Sequence, residues 1–225
     1  LLDFQSGNYV EDIITYSSLE EKDTIPVPYL FRDYENMPLL EQEALKYCQG
    51  KIMDIGCGAG SHSLYLQQNG FDVTALDKSA GAIEVCRKRG LNKVAPADIM
   101  DFSDEKFDTL LMLMNGIGIV GNLKGLDAFL QHAKKLLKPE GSILLDSSDI
   151  SYMFETEEGA YSFPENNEYY GEVEFRMEYK GEKSNVFRWL YIDFDTLKIA
   201  AKKNGYDCEL LSEGEHYDYL AKLCV

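Results

Sequence analysis

Between Lys51 and Asp149, short apolar runs alternate with longer amphipathic stretches. The runs Lys51–Ile55, Asp72–Asp77, Lys93–Ala97 and Phe107–Met114 predict strands, and Leu136–Asp149 turns at Pro139 and Gly141 into a fifth. Between them, apolar residues recur at helical spacing over Ser61–Asn69, Ser79–Arg89 and Leu123–Leu137; Gly70 and Gly90 close the first two helices. A loop from Asp98 to Asp104 separates the third and fourth strands. Pro38 to Cys48 predicts a further helix, with proline in its first turn. Apolar strands alternating with helices imply a parallel sheet covered on both faces, an α/β architecture.

The flanks read differently. The first thirty-odd residues are acidic and broken by Pro26, Pro28 and Pro38, predicting a helix over Val10–Tyr16 and then an irregular arm. From Glu172 to Tyr179, Val173, Phe175, Met177 and Tyr179 alternate with Glu172, Glu174, Arg176 and Glu178, which is strand spacing. Lys180–Lys183 is a turn and Asn185–Ile192 the return strand, so a half-exposed antiparallel hairpin is expected. Helix Asp195–Asn204, capped by Gly205, and strands Cys208–Ser212 and Tyr217–Val225 follow. The expected division is an N-terminal arm or lid (1–36), a core (37–150), an inserted hairpin serving as lid or dimer element (151–192) and a C-terminal completion of the core sheet (193–225).

Chemistry is concentrated where the first core strand meets its helix. There an acid, Asp54, precedes alternating glycines Gly56, Gly58 and Gly60, and Cys57 lies between the first two. A glycine loop between strand and helix lets a ligand press against bare backbone. Twenty-three residues after Asp54, Asp77 ends the next strand, where a carboxylate can accept from two ribose hydroxyls. Ser61 stands where a dinucleotide fingerprint would need its third glycine, and an acid at Asp54 suits an ammonium group better than a pyrophosphate. No P-loop motif occurs.

With this loop, Asp77, the pair Asp98-Ile99 and a fourth strand ending at Asn115, the chain resembles the class I S-adenosylmethionine-dependent methyltransferases from about Glu35 to Asp149. The resemblance implies a doubly wound, seven-stranded, mostly parallel sheet with an antiparallel last strand, elaborated here by the N-terminal helical arm and the inserted hairpin. It also implies S-adenosyl-L-methionine as cofactor. Asp54 and the backbone of Gly56, Cys57, Gly58 and Gly60 would face its methionine portion. Asp77 would take the ribose, Lys78 would flank the adenine, Asp98 and the Ile99 amide would meet the adenine edge, and Asn115 would close the site. Asn115 begins NGIG, not the (N/D)PP(Y/F) signature of amino-methylating nucleic-acid enzymes.

Net charge is −17, which repels phosphate backbones and argues against DNA or RNA as substrate. Arg87, Lys88 and Arg89 read as cations closing a helix. Five cysteines without C-x-x-C spacing suit reduced thiols in a cytoplasm, and the three histidines are too scattered for a metal site. No apolar run is long enough for a membrane span. The expected activity is methyl transfer by in-line displacement to a small-molecule acceptor; the alternative is a cofactor-binding but catalytically silent interaction subunit, and the exposed hairpin could pair across a homodimer. Methyl transfer from a sulfonium needs a base only when the acceptor arrives protonated. No single base stands out: the candidates are Asp146 and Asp149 at the fifth strand's end, His62 and His216, with Asn115 and Tyr16 as further catalytic candidates. Tyr16 and Tyr29 are expected to border the site.

Overall fold

The computed structural model describes residues 1–19, 21–103, 105–156, 159–163 and 168–225. In chain order its elements begin with α1 (Leu2–Gln5), β1 (Ile13–Ser17), β2 (Lys22–Ile25), α2 (Leu39–Tyr47), β3 (Lys51–Ile55), α3 (Ser61–Gln68), β4 (Asp72–Asp77), α4 (Ala80–Lys88) and β5 (Val94–Pro96). There follow β6 (Phe107–Met112), α5 (Leu123–Leu136), β7 (Leu137–Ser148), β8 (Glu172–Tyr179), β9 (Glu182–Lys183), β10 (Phe187–Leu190), α6 (Phe194–Lys203), β11 (Asp207–Glu213) and β12 (Asp218–Cys224). No helix among the described residues is long and apolar enough to cross a membrane.

The core sheet has seven strands in the order β11-β12-β7-β6-β3-β4-β5. β3 to β7 pair in parallel, and β12 runs antiparallel to both β7 and β11. Side chains alternate between its two faces. Met53, Leu110 and Leu145 join the cluster that buries Phe129, Leu130 and Leu197 of α5 and α6. Ile52, Leu111 and Leu144 join the one that buries Leu40, Leu45 and Leu66 of α2 and α3. On α5, Leu126, Phe129 and Leu130 are fully buried, each contributing about 1.5–3 kcal/mol.

The chain leaves β3 toward β4 and β5, then returns on the other side of β3 as β6. That reversal opens a crevice beyond the carboxyl ends of β3 and β6, where open α/β sheets take their ligands. The loops carrying Gly56–Gly60 and Met114–Gly118 flank it.

One expectation is overturned: the chain over Val10–Tyr16 is not helical. Val10, Ile13 and Ile14 mimic helical spacing, yet Ile13, Ile14 and Thr15 are a β-branched run that favours an extended backbone. They form β1, which pairs with β2 and, at great sequence distance, with β8. The arm and hairpin therefore build one antiparallel sheet, β10-β8-β1-β2, with β9 added to β8. The expected loop Asp98–Asp104 contains a single 3-10 turn over Ile99–Asp101, and Asp104 lies outside the described residues.

This second sheet has unlike faces. By register, Thr15, Val173, Phe175, Phe187 and Trp189 share one face, and Thr15 and Val173 are buried. Tyr16, Lys22, Glu174, Arg176 and Arg188 share the other, which is largely exposed. One end is fastened to the core beside β10: a Cβ on Gly118 would lie 2.0 Å from Trp189 Nε1. At the other end, the Tyr179 hydroxyl and Lys180 both donate to Asp3 of α1, which packs on α4.

Candidate functional site

The glycine loop is shaped by three left-handed residues, Gly56, Gly58 and Gly60, at φ of 75°, 54° and 81°. They do not do the same work. A Cβ on Gly56 or Gly58 would meet no atom closer than 4.0 Å, so the loop presents bare backbone to open space. A Cβ on Gly60 would fall 2.7 Å from Leu91 and 2.9 Å from the Cys86 sulfur, so Gly60 seats the loop against α4. Cys57 is buried with its sulfur 3.7 Å from that of Cys86. The contact with Cys86, and then burial, push its thiol up, away from nucleophilic use.

Asp77 braces this loop. Its two oxygens accept from the N–H of Gly58 at 3.0 Å and of Ser79 at 2.8 Å, joining the ends of β3 and β4. A carboxylate offers roughly four acceptor positions, so capacity remains for hydroxyl donors. Lys78 beside it is exposed. Asp98 is exposed and accepts from Met100 N–H, a capping bond, while Ile99 is buried in the core.

Beyond β6 the backbone is strained: Met114 and Asn115 are both left-handed, at φ of 64° and 53°. The expected strand through Met114 accordingly stops at Met112. Asp146, from the end of β7, holds this turn by accepting from Met114 N–H at 3.0 Å and Gly116 N–H at 3.3 Å. Both sides of the Asn115 amide are engaged: it accepts from Ser147 Oγ at 2.9 Å and donates to Leu190 O at 3.2 Å. Asn115 thus pins strand β10 to the core. Asn115→Ala should lower unfolding free energy in urea by about 2–3 kcal/mol, with Asn115→Gly recovering roughly 1 kcal/mol of it.

Asp54 and Asp146 lie on the same face of the sheet, two strands apart and, by register, two residues apart along the strands, about 12 Å between their backbones. Asp54 is buried and accepts from Ser63 Oγ at 2.6 Å. Burial raises its carboxyl above the usual range, against the pull of His62 and Ser63. Asp146 is 8% exposed; burial first, then the Glu41 carboxylate, push it up to about 7, against the amide bonds and His62.

Sequence reasoning missed the cluster that covers this face. Arg32 Nη2 donates to both oxygens of Glu41, at 2.6 and 2.5 Å, and Nη1 donates to Tyr29 O at 2.8 Å. His62 Nε2 lies 2.8 Å from Glu41 Oε2; since an ionised carboxylate only accepts, that nitrogen carries the proton. Burial works to raise Glu41, but His62 and Arg32 hold it below the usual range. The Tyr29 ring is stacked on the Arg32 guanidinium at 4.1 Å and is 40% exposed, at the border of this cluster. The arm is also stitched to the loop: Ser61 Oγ donates to Leu30 O, while Arg89 donates to Ala59 O and Phe31 O. In sequence, Arg32, Glu41 and Arg89 look like ordinary surface charges; only their convergence marks them.

Two candidates are placed elsewhere. Tyr16 lies on the outer face of the second sheet, its hydroxyl on Glu178 at 2.9 Å, because β1 is a strand and not a helix. His216 is exposed in the turn before β12, three strands from β3, about 14 Å away by strand spacing. Asp149 accepts from Ser151 N–H and the Tyr170 hydroxyl, both at 2.8 Å, holding the chain as it leaves β7.

Comparison with known proteins agrees with this geometry. A family model described as a methyltransferase domain matches residues 52–141. The solved structure of an S-adenosylmethionine-dependent methyltransferase from Bacteroides fragilis, in complex with S-adenosyl-L-homocysteine, superposes with a TM-score of 0.93. It is 44% identical, over 100% of this chain and 92% of that one. A demethylmenaquinone methyltransferase of Clavibacter sepedonicus is 35% identical over 101 residues, covering 42% of this chain and 40% of the relative. A cypemycin N-terminal methyltransferase of Streptomyces sp is 30% identical over 44% of this chain and 42% of the relative, so the similarity spans under half of these curated proteins. The chain belongs to the class I S-adenosylmethionine-dependent methyltransferases, and S-adenosylmethionine is its cofactor.

Proposed function

We propose that the chain transfers a methyl group from S-adenosylmethionine to a small-molecule acceptor that arrives as an alcohol, phenol or ammonium, with Asp146 taking the acceptor's proton. The observation that carries this reading is the bare backbone at Gly56 and Gly58, where a Cβ would meet no atom closer than 4.0 Å, on a crevice shared with Asp146, a buried carboxylate that burial pushes up to about 7. When bound, the cofactor supplies a methyl group on a sulfonium, whose leaving group is neutral.

The protein's share is then positioning and proton removal. Asp54 would hold the ammonium of the methionine portion, and Asp77 would accept from the ribose hydroxyls with the positions its two amide bonds leave free. Lys78 and Asp98 would flank the adenine. Orientation alone is worth about 7–11 kcal/mol in well-aligned reactions. The second sheet and the arm would exclude water. Asp146 sits two strands from Asp54 and on the same face, so an acceptor above it would lie toward the sulfonium end. Of the cations nearby, buried Arg32 directs both Nη atoms to Glu41 and Tyr29 O, and half-buried Arg89 donates to backbone carbonyls. With a net charge of −17, this supports a small acceptor over a nucleic acid.

The test is calorimetric titration with S-adenosylmethionine and S-adenosylhomocysteine, followed by mass spectrometry of amines, phenols and alcohols incubated with protein and cofactor. Micromolar binding with a methylated product is the expected result; a wild-type chain that binds neither compound overturns the reading.

A further inference from the structure

Among the described residues, one buried side-chain polar atom has no hydrogen-bond partner: Arg32 Nε. Its other two nitrogens are engaged, Nη2 with Glu41 and Nη1 with Tyr29 O, and the side chain is 4% exposed. A charged donor buried without an acceptor is costly, so an orphan in an otherwise satisfied network points to a group that arrives later.

Its position says what kind of group. Leu30, Phe31 and Arg32 lie over Ala59–His62, the closing end of the glycine loop and the first turn of α3, held there by Ser61 and Arg89. Through Glu41, Arg32 is joined to His62 in the first turn of α3, the helix whose Ser63 donates to Asp54. A buried carboxylate and a buried guanidinium with an unpartnered Nε–H therefore stand at the same end of the crevice. Opposite charges at one end suit a zwitterion, a carbon bearing both an ammonium and a carboxylate. The methionine portion of the cofactor is such a group.

We propose that Arg32, through Nε–H, holds the carboxylate of the cofactor's methionine portion, and that the arm over 27–36 is thereby part of the cofactor site. The proposal rests on the cofactor reading above. Because Tyr29 is stacked on the same guanidinium, binding would fix this ring, at the border of Asp146's face, together with the arm. Cofactor would then precede acceptor.

The test compares three compounds by calorimetry: S-adenosylmethionine, its decarboxylated analogue, and 5′-methylthioadenosine, which lacks the amino-acid portion. The wild type should bind S-adenosylmethionine at least tenfold more tightly than the decarboxylated analogue. Arg32→Lys keeps the charge beside Glu41 but removes the planar fork, so it should shrink that ratio below threefold and leave 5′-methylthioadenosine unchanged. In the wild type, S-adenosylmethionine should slow amide exchange over 27–36, and 5′-methylthioadenosine should not; this holds whether or not the variant folds. Equal affinity of the wild type for the carboxylated and decarboxylated compounds overturns the proposal, as does a ratio that survives Arg32→Lys. Absence of binding by all three to the wild type would instead overturn the cofactor reading.

Discussion

Gly58→Leu is expected to bind S-adenosylhomocysteine at least a hundredfold more weakly than the parent chain while still folding cooperatively. A hundredfold loss is about 2.7 kcal/mol, and it follows from geometry. At φ of 54° the position is left-handed, so any side chain costs the native state about 1–2 kcal/mol. No protein atom lies within 4 Å of the new Cβ except Gly56 O at 4.0 Å, so the remaining volume falls into the space the ligand needs. Gly60→Ala separates packing from binding. Its Cβ would press on Leu91 and Cys86, both buried, so strain and overpacking together should remove about 2–5 kcal/mol of stability. Urea unfolding beside calorimetry checks both: binding should fall first for Gly58→Leu and stability first for Gly60→Ala. The opposite pattern would mean that the ligand does not lie over Gly58.

Asp146→Asn should lower kcat by about 10²–10⁴ for an acceptor that must lose a proton, with S-adenosylhomocysteine affinity changed less than threefold. In the parent chain kcat should rise with pH through about 7 as Asp146 ionises, and the variant should lose that limb. Stability carries a second signature. Raised in the fold, Asp146 binds its proton more tightly in the native than in the unfolded state. Its contribution is therefore complete below about pH 4 and is lost as pH rises through about 7, by up to about 4 kcal/mol. Glu41, held low, works in the opposite sense: its contribution is present above the ordinary carboxylate range and fades as the solution is acidified. In Asp146→Asn the loss between pH 4 and 7 should vanish. One amide oxygen must also replace two carboxylate oxygens, leaving Met114 N–H or Gly116 N–H unpaired at about 1–3 kcal/mol. A kcat profile identical to the parent's would remove Asp146 from the chemistry and leave it as the anchor of the strained turn.

The core was legible in sequence because its signals are local. Each strand from β3 to β7 is a short apolar run next to a helix with its own periodicity, and Gly56, Gly58 and Asp77 need only their own spacing to be noticed. β1 was misread because local pattern could not decide it: Ile13 and Ile14 satisfy a helical spacing, and the partner that makes them a strand, β8, is some 160 residues away. Tyr16 was misplaced with it, since a strand sends alternate residues to opposite faces. The Arg32–Glu41–His62 cluster was hidden for a related reason. No spacing links a 3-10 turn, the first turn of α2 and the first turn of α3; tertiary packing brings them within 3 Å. Asp146 was visible as an acid at a strand's end, but its burial and its hold on Met114 and Gly116 were not.

The pairing of β1 with β8 also orders events during synthesis. Everything from β3 to β7 closes on local neighbours and can assemble while the rest of the chain is still being made, as domains generally do. β1 and β2 emerge ahead of the core strands, yet β1 meets its inner partner only after Tyr179 has left the ribosome. Until then Ile13 and Ile14 belong to a two-stranded ribbon, which is marginal alone. The nascent chain should therefore carry a protease-sensitive front end behind a protected core. Because the stitches from Arg89 and Ser61 need only residues up to 89, the cofactor could fasten the arm before the second sheet exists.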